Sequence, residues 1–161
     1  MGKRKGIVGL TKSFSEIVED IKEGSKIVFT GSAAVCTPFI ELLAYSIKNR
    51  GFEMVYVPNA DVSEARKIKK QENIGVSVVD EKSNAEDPAV VVVFGGLAMP
   101  KFGCPPEDVV NMIHAISKET PIIIGVCFMS MFKRAGWDKK IPFDAIIDTQ
   151  METAVEPGNS S

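Results

Sequence analysis

The chain has 161 residues, 45% of them hydrophobic and 25% charged, proportions that make one globular domain with a sizeable core. A formal net charge of −2 offers no basic footprint, so nucleic acid is not an expected partner. No apolar segment reaches the length of a membrane-spanning helix, so neither is a membrane. The three cysteines cannot all pair with one another, and their wide spacing is not a disulfide framework. A reducing, cytoplasmic setting is the expectation.

The basic start, Lys3-Arg4-Lys5, reads as a solvated tail. Ser13 and Glu16 have capping-box spacing, followed by Phe14, Ile17, Val18 and Ile21 at helical intervals and by Gly24 as a stop. This predicts an amphipathic helix ahead of the first strand, Lys26 to Thr30. Thr37 and Pro38 then suit the start of a helix that buries Phe39, Leu42, Leu43 and Ile47 and stops at Gly51. Residues 53–58 read as the second strand. Asp61 and Glu64 form another capping-box pair, predicting a short polar helix through Lys70, and residues 74–80 read as a third strand. Residues 82–87 are a polar connection with no helical pattern.

Val90 to Phe94 is an unbroken apolar run ending in Gly95-Gly96. Continuous rather than alternating apolar character predicts a central strand buried on both faces, as in a parallel sheet covered by helices. Cys104-Pro-Pro-Glu107 opens a helix carrying Val109, Val110, Met112, Ile113 and Ile116. Residues 120–128 form the fifth strand, residues 129–135 a short helix closed by Gly136, and residues 143–148 the sixth strand. The polar tail, residues 152–161, reads as mobile. The expected architecture is therefore one doubly wound α/β domain, residues 1–151, with a mostly parallel Rossmann-like sheet of order 3-2-1-4-5-6 and an extra N-terminal helix.

In such a sheet a ligand sits beyond the carboxyl ends of the strands, at the switch point between the first and fourth. The loops there, residues 31–37 and 95–104, are rich in small residues and lead into helix N-termini, where free N–H groups hold anions. Gly31, Gly95 and Gly96 are the candidates for close backbone approach, and Ser32 and Thr37 for donated hydrogen bonds. Cys36 and Cys104 lie in the same loops. There is neither a Gly-x-Gly-x-x-Gly run nor a Walker lysine, so a dinucleotide reading is weak and the cofactor stays unknown. Asn59 and Asp61 fall where a ribose-binding acid would sit, although Asp61, with Glu64 three residues on, is better explained as a helix cap.

Cys36, Cys104 and Cys127 all follow strands at that edge. On the predicted strand order they could ligate a metal or an iron–sulfur cluster, with Met99, Met129 and Met131 adding soft sulfur. Thiols at helix N-termini could also be reactive. Against this, buried cysteine often behaves as a small hydrophobe, and no close Cys-x-x-Cys pair is present. His114 has no nucleophile paired with it, Trp137 follows a helix stop, and Glu41 and Glu107 are explained by the helix dipole.

The segments Val35-Cys-Thr-Pro-Phe-Ile-Glu-Leu-Leu43 and Gly95-Gly-Leu-Ala-Met-Pro100 resemble an uncharacterised archaeal family, found mostly in methanogens. The resemblance implies a Rossmann-like fold and a cytoplasmic archaeal setting, and it transfers no catalytic residue. Three functions follow as expectations. The first is a binding module for a small anionic or nucleotide-like ligand, the second a metal- or thiol-dependent enzyme using Cys36 and Cys104. The third is an oligomeric scaffold, a homo-oligomer included, that meets its partner through an apolar surface near residues 97–102.

Overall fold

The computed structural model describes residues 2–160; Met1 and Ser161, the ends of the expected domain and tail, lie outside the described residues. Seven strands form one sheet: β1 (Lys26–Gly31), β2 (Glu53–Pro58), β3 (Arg66–Gln71), β4 (Gly75–Lys82), β5 (Val90–Phe94), β6 (Ile122–Phe128) and β7 (Ala145–Thr149). Their order across the sheet is β4-β3-β2-β1-β5-β6-β7. β5 is buried along its whole length and runs parallel to both β1 and β6, as its uninterrupted β-branched sequence requires.

Four helices cover the sheet: α1 (Gly6–Ile17), α2 (Thr37–Ser46), α3 (Pro106–Ile116) and α4 (Met131–Ala135). Alternate residues of each strand face opposite cores. Ile27, Phe29, Tyr56, Val90, Val92, Ile124 and Val126 meet α1 and α2. Val28, Val55, Val57, Val91 and Val93 meet α3 and the residues around α4. The Phe14 ring of α1 lies 5.9 Å from that of Phe29, and burying one such side chain is worth about 1.5–3 kcal/mol.

The α/β class stands, but the strand count and order expected from the sequence do not. Residues 66–71, read as the body of a polar helix, form β3, antiparallel to β2 and β4. Asp61 caps as expected, its Oδ1 accepting from the Ser63 N–H at 3.1 Å and the Ser63 hydroxyl at 2.6 Å. It opens only a single 3-10 turn, Val62–Glu64. The lysine-rich segment then finds better partners in a hairpin with β4, turned by Asn73 in the left-handed region at φ 60° and Gly75 at φ 110°. A sheet of order 3-2-1-4-5-6 thus becomes seven-stranded, with one antiparallel strand set between the expected third and second.

Two helix boundaries move as well. Ser13 and Glu16 lie inside α1, and Glu16 binds Arg4 through both carboxylate oxygens at 2.7 and 2.8 Å instead of closing a capping box. α2 begins with Cys36 rather than Thr37 at the capping position. Residues 83–89 carry no helix. Lys26 anchors them, its ammonium donating to the Asn84 and Glu86 carbonyls at 2.7 and 2.8 Å. None of the helices is long and apolar enough to cross a membrane among the described residues. Residues 151–160 are exposed and carry no regular structure.

Candidate functional site

The β1–α2 turn is folded tightly on itself. The Cys36 N–H donates to the Ser32 carbonyl at 3.0 Å, and the Ser32 hydroxyl lies 3.4 Å from the Cys36 sulfur. Both side chains are buried. The Tyr56 hydroxyl, at the end of β2, makes a long 3.4 Å contact with the Gly31 carbonyl. Burial pushes the Tyr56 hydroxyl above its ordinary pKa, a hydrogen bond with Thr37 opposes this, and the nearby Cys36 adds to it. Ser32, Cys36, Thr37 and Tyr56 are therefore one polar group at the carboxyl end of β1 and β2. Tyr56 was missed in the sequence because an aromatic inside an apolar strand reads as core.

The glycines approach protein rather than open space. A Cβ on Gly31 would stand 2.6 Å from Cys36 Cβ, and one on Gly95 would stand 2.6 Å from Cys127 Cβ. A Cβ on Gly96 would overlap the Cys36 sulfur and come within 2.7 Å of Ser32 Oγ. The two loops expected to flank a ligand thus touch each other through Gly96. In the segment 97–102, Leu97 is buried, Ala98 and Met99 are partly buried, Pro100 is exposed and Phe102 is half exposed.

The cysteines do not converge. Cys36 packs in the core on the α1–α2 face, whereas Cys127 belongs to the core on the α3 face and Cys104 packs against that second core. The sheet separates them, and among the described residues no group of three or more His, Cys, Asp or Glu side chains stands where it could hold a metal ion. The expected ligand set of Cys36, Cys104 and Cys127 is not formed. Nor are Cys104 and Cys127 activated as their positions suggested. Burial, with Asp108 adding to it, pushes Cys104 up to about 11. Burial likewise pushes Cys127 up to about 11, with backbone hydrogen bonds opposing and Asp148 reinforcing it. Desolvation of the thiolate outweighs the helix ends nearby.

The N-termini of α2 and α3, the two longer helices that start at this edge, differ. α3 carries Glu107 and Asp108 in its first turn, so its own carboxylates already meet its dipole. α2 has no acidic residue in its first turn and no side-chain cap. Glu41, further along α2, instead accepts the Val78 N–H at 3.0 Å, closing part of the outer edge of β4. Exposed Ala33 and Ala34 lead into α2, with Ala34 in the left-handed region at φ 66°.

That backbone conformation recurs along the same edge. Among the described residues seven non-glycine residues have positive φ, and Ala34, Asn59, Ala60, Met129 and Ser130 all follow β1, β2 or β6 at their carboxyl ends. The first turn is held by the Asn59 N–H donating to the Gly31 carbonyl at 2.9 Å and the Ala60 N–H donating to Thr30 Oγ1 at 3.1 Å. The last is held by Asp148, which accepts the Ser130 N–H and hydroxyl, each at 3.0 Å. Beside the first turn lies a shallow cleft of about 430 Å³, lined by Asn59, Ala60, Asp61, Asp108, Asn111, Met112 and Ala115. A second cleft, of about 550 Å³, lies at the opposite, amino end of the strands around Lys26, Glu53 and Asp87.

A family described as an uncharacterised protein conserved in archaea, DUF2124, matches residues 5–152. The chain belongs to this family. Among DUF2124 relatives, an uncharacterised protein of Methanocaldococcus jannaschii is 36% identical over 95% of this chain and 91% of its own. An uncharacterised protein of Methanothermobacter thermautotrophicus is 34% identical over 98% of this chain and 100% of its own. A crystal structure of a protein of unknown function from Methanothermobacter thermautotrophicus superposes with a TM-score of 0.86 at 35% identity, covering 98% of this chain and 97% of that one. A hypoxanthine phosphoribosyltransferase from Staphylococcus aureus shares the fold alone, with a TM-score of 0.50 at 9% identity over 92% of this chain and 75% of that one.

Proposed function

We propose that this DUF2124 protein binds a small molecule at the carboxyl edge of β1 and β2, with an anionic group of the ligand against the first turn of α2. The observation that carries this reading is the gathering of strained backbone at one edge: five of the seven non-glycine positive-φ residues. Each such residue costs of order 1 kcal/mol, and such strain clusters at ligand-binding positions. Of the two longer helices that begin at the edge, α2 and α3, only α2 lacks carboxylates in its first turn, which favours it as the anion-binding end. The fold neighbour is named a phosphoribosyltransferase, so phosphate esters are the natural first probes. Three free thiols accord with a reducing, cytoplasmic setting for this activity.

Titration calorimetry with inorganic phosphate tests the reading. Pro38 is exposed in the first turn of α2, and Pro38→Asp supplies the carboxylate that the turn lacks. The variant should keep wild-type stability to within about 1 kcal/mol, since the new dipole contact offsets the lost proline. It should also bind phosphate at least tenfold more weakly. Phosphate affinity unchanged in Pro38→Asp would refute the assignment.

A further inference from the structure

We infer that the C-terminal tail of a second copy of this chain docks on the tip of the β3–β4 hairpin. Val155 of the tail meets Ile74 and Tyr45, and Glu156 meets Lys48 and Lys70. The hairpin tip lies at the amino edge of the sheet, since β3 runs antiparallel to β2. It is therefore independent of the binding edge proposed above.

The receiving side is built around one ring. Tyr45, near the end of α2, and Ile74, in the hairpin turn, are large side chains left 48% and 75% exposed. A Cβ on Gly75 would touch the Tyr45 ring at 3.8 Å, so the turn lies against it. The Lys48 ammonium sits 3.3 Å from the ring centroid. Its hydrogen bond and charge, with the charge of Lys70 adding to them, hold the Tyr45 hydroxyl below its ordinary pKa. Lys70 also donates to Asn49 Oδ1 at 3.4 Å. Neither ammonium pairs with a carboxylate among the described residues, Glu72 in the turn included.

The tail carries the complement. Val155 is 96% exposed. Glu152 and Glu156, on either side of it, are exposed and form no ion pair among the described residues. An apolar side chain bracketed by carboxylates matches an apolar ring bracketed by ammoniums, and the charges fix the register.

A tail cannot reach the hairpin tip of its own chain. It leaves β7, and β4 and β7 are the two outermost of seven strands, about 29 Å apart at the usual strand spacing. Val155 follows the end of β7 at Thr149 by a span of at most about 22 Å when fully extended. The tail also starts from the carboxyl edge, the far side from the hairpin tip. The contact is therefore made between copies, and reciprocal exchange of the two tails closes a two-fold dimer.

Sedimentation equilibrium of the full chain tests this from about 10 µM to about 1 mM, the range of weak, small interfaces. The wild type should pass from monomer to dimer across that range. Val155→Asp changes a side chain that lies in water, so it should fold normally and dimerise about tenfold more weakly. Lys48→Glu with Lys70→Glu, and separately Glu152→Lys with Glu156→Lys, should each weaken dimerisation about tenfold or more. The chain carrying all four changes should recover most of the lost association. In NMR spectra of dilute isotope-labelled protein, added unlabelled wild type should shift the Ile74 and Gly75 amide signals, and added unlabelled Val155→Asp should not. A wild type that stays monomeric throughout, association that survives Val155→Asp, or a four-fold variant that recovers nothing would overturn the inference.

Discussion

Replacing Gly96 with alanine separates packing from ligand approach. The added methyl would overlap the Cys36 sulfur, come within 2.7 Å of Ser32 Oγ and touch Val35 Cγ1 at 3.5 Å. Cys36 and Ser32 are 3% and 1% exposed and are tied together by the turn, so neither can swing away into solvent. Overpacking of this kind costs about 1–3 kcal/mol, or a drop of roughly 2–10 °C in melting temperature for a chain of this size. Cys36→Ala removes the overlapping sulfur. Alone it should cost about 1 kcal/mol as a small cavity; in the Gly96→Ala background it should cost nothing or restore stability. Urea denaturation of the four proteins in a double-mutant cycle measures the coupling, expected at about 1 kcal/mol or more. A Gly96→Ala protein as stable as wild type, or one that Cys36→Ala destabilises by its full single-mutant amount, would refute the packing argument. Gly96 would then owe its identity to something outside the fold.

Lys26→Met should cost about 1.5–3 kcal/mol in urea denaturation, because the ammonium's two hydrogen bonds to the Asn84 and Glu86 carbonyls are charge-assisted. Cys104 and Cys127, both raised to about 11, should alkylate at pH 8 roughly a hundredfold more slowly than a free cysteine thiol, on thiolate fraction alone; mass spectrometry of the labelled sites reads this directly. Their folded pKa lies above the unfolded one, so the stability they contribute is complete below about pH 9 and is lost as pH rises through about 11. Melting temperature measured over that interval should fall. Glu41→Ala should cost about 1–3 kcal/mol by leaving the Val78 N–H without its acceptor, and light scattering should show more self-association through the unguarded edge of β4.

The central strands are legible in the sequence because burial on both faces demands continuous apolar residues, as in Val90 to Phe94. β3 is not, because only Ile68 of its six residues is buried and the rest could as well decorate a polar helix. The signal that was available is the turn, where Asn73 and Gly75 suit a hairpin better than a helix end. Placing the site at the carboxyl edge needs only the strand ends, and those were readable. Which cysteines meet depends instead on the face to which each loop leads. Cys36 goes with α2 to one core and Cys127 points into the other, a distinction that spacing along the chain does not carry. The partners of Lys26 and Glu41 lie 58, 60 and 37 residues away, beyond any local pattern.

The hairpin of β3 and β4 is joined to the remainder of the sheet through just two residue pairs, Val55 with Lys67 and Tyr56 with Arg66, while its own two strands share five. Cooperative units in proteins divide where such seams are narrow. Beyond that seam the hairpin is held by α2, through Glu41 and the buried Ile68 and Val76, and at the seam itself stands Tyr56, the residue that reaches back to the Gly31 carbonyl. Local unfolding at one side of the sheet would thus loosen the turn leading into α2. Conversely, any molecule that fixes that turn would slow the hairpin's excursions at a distance.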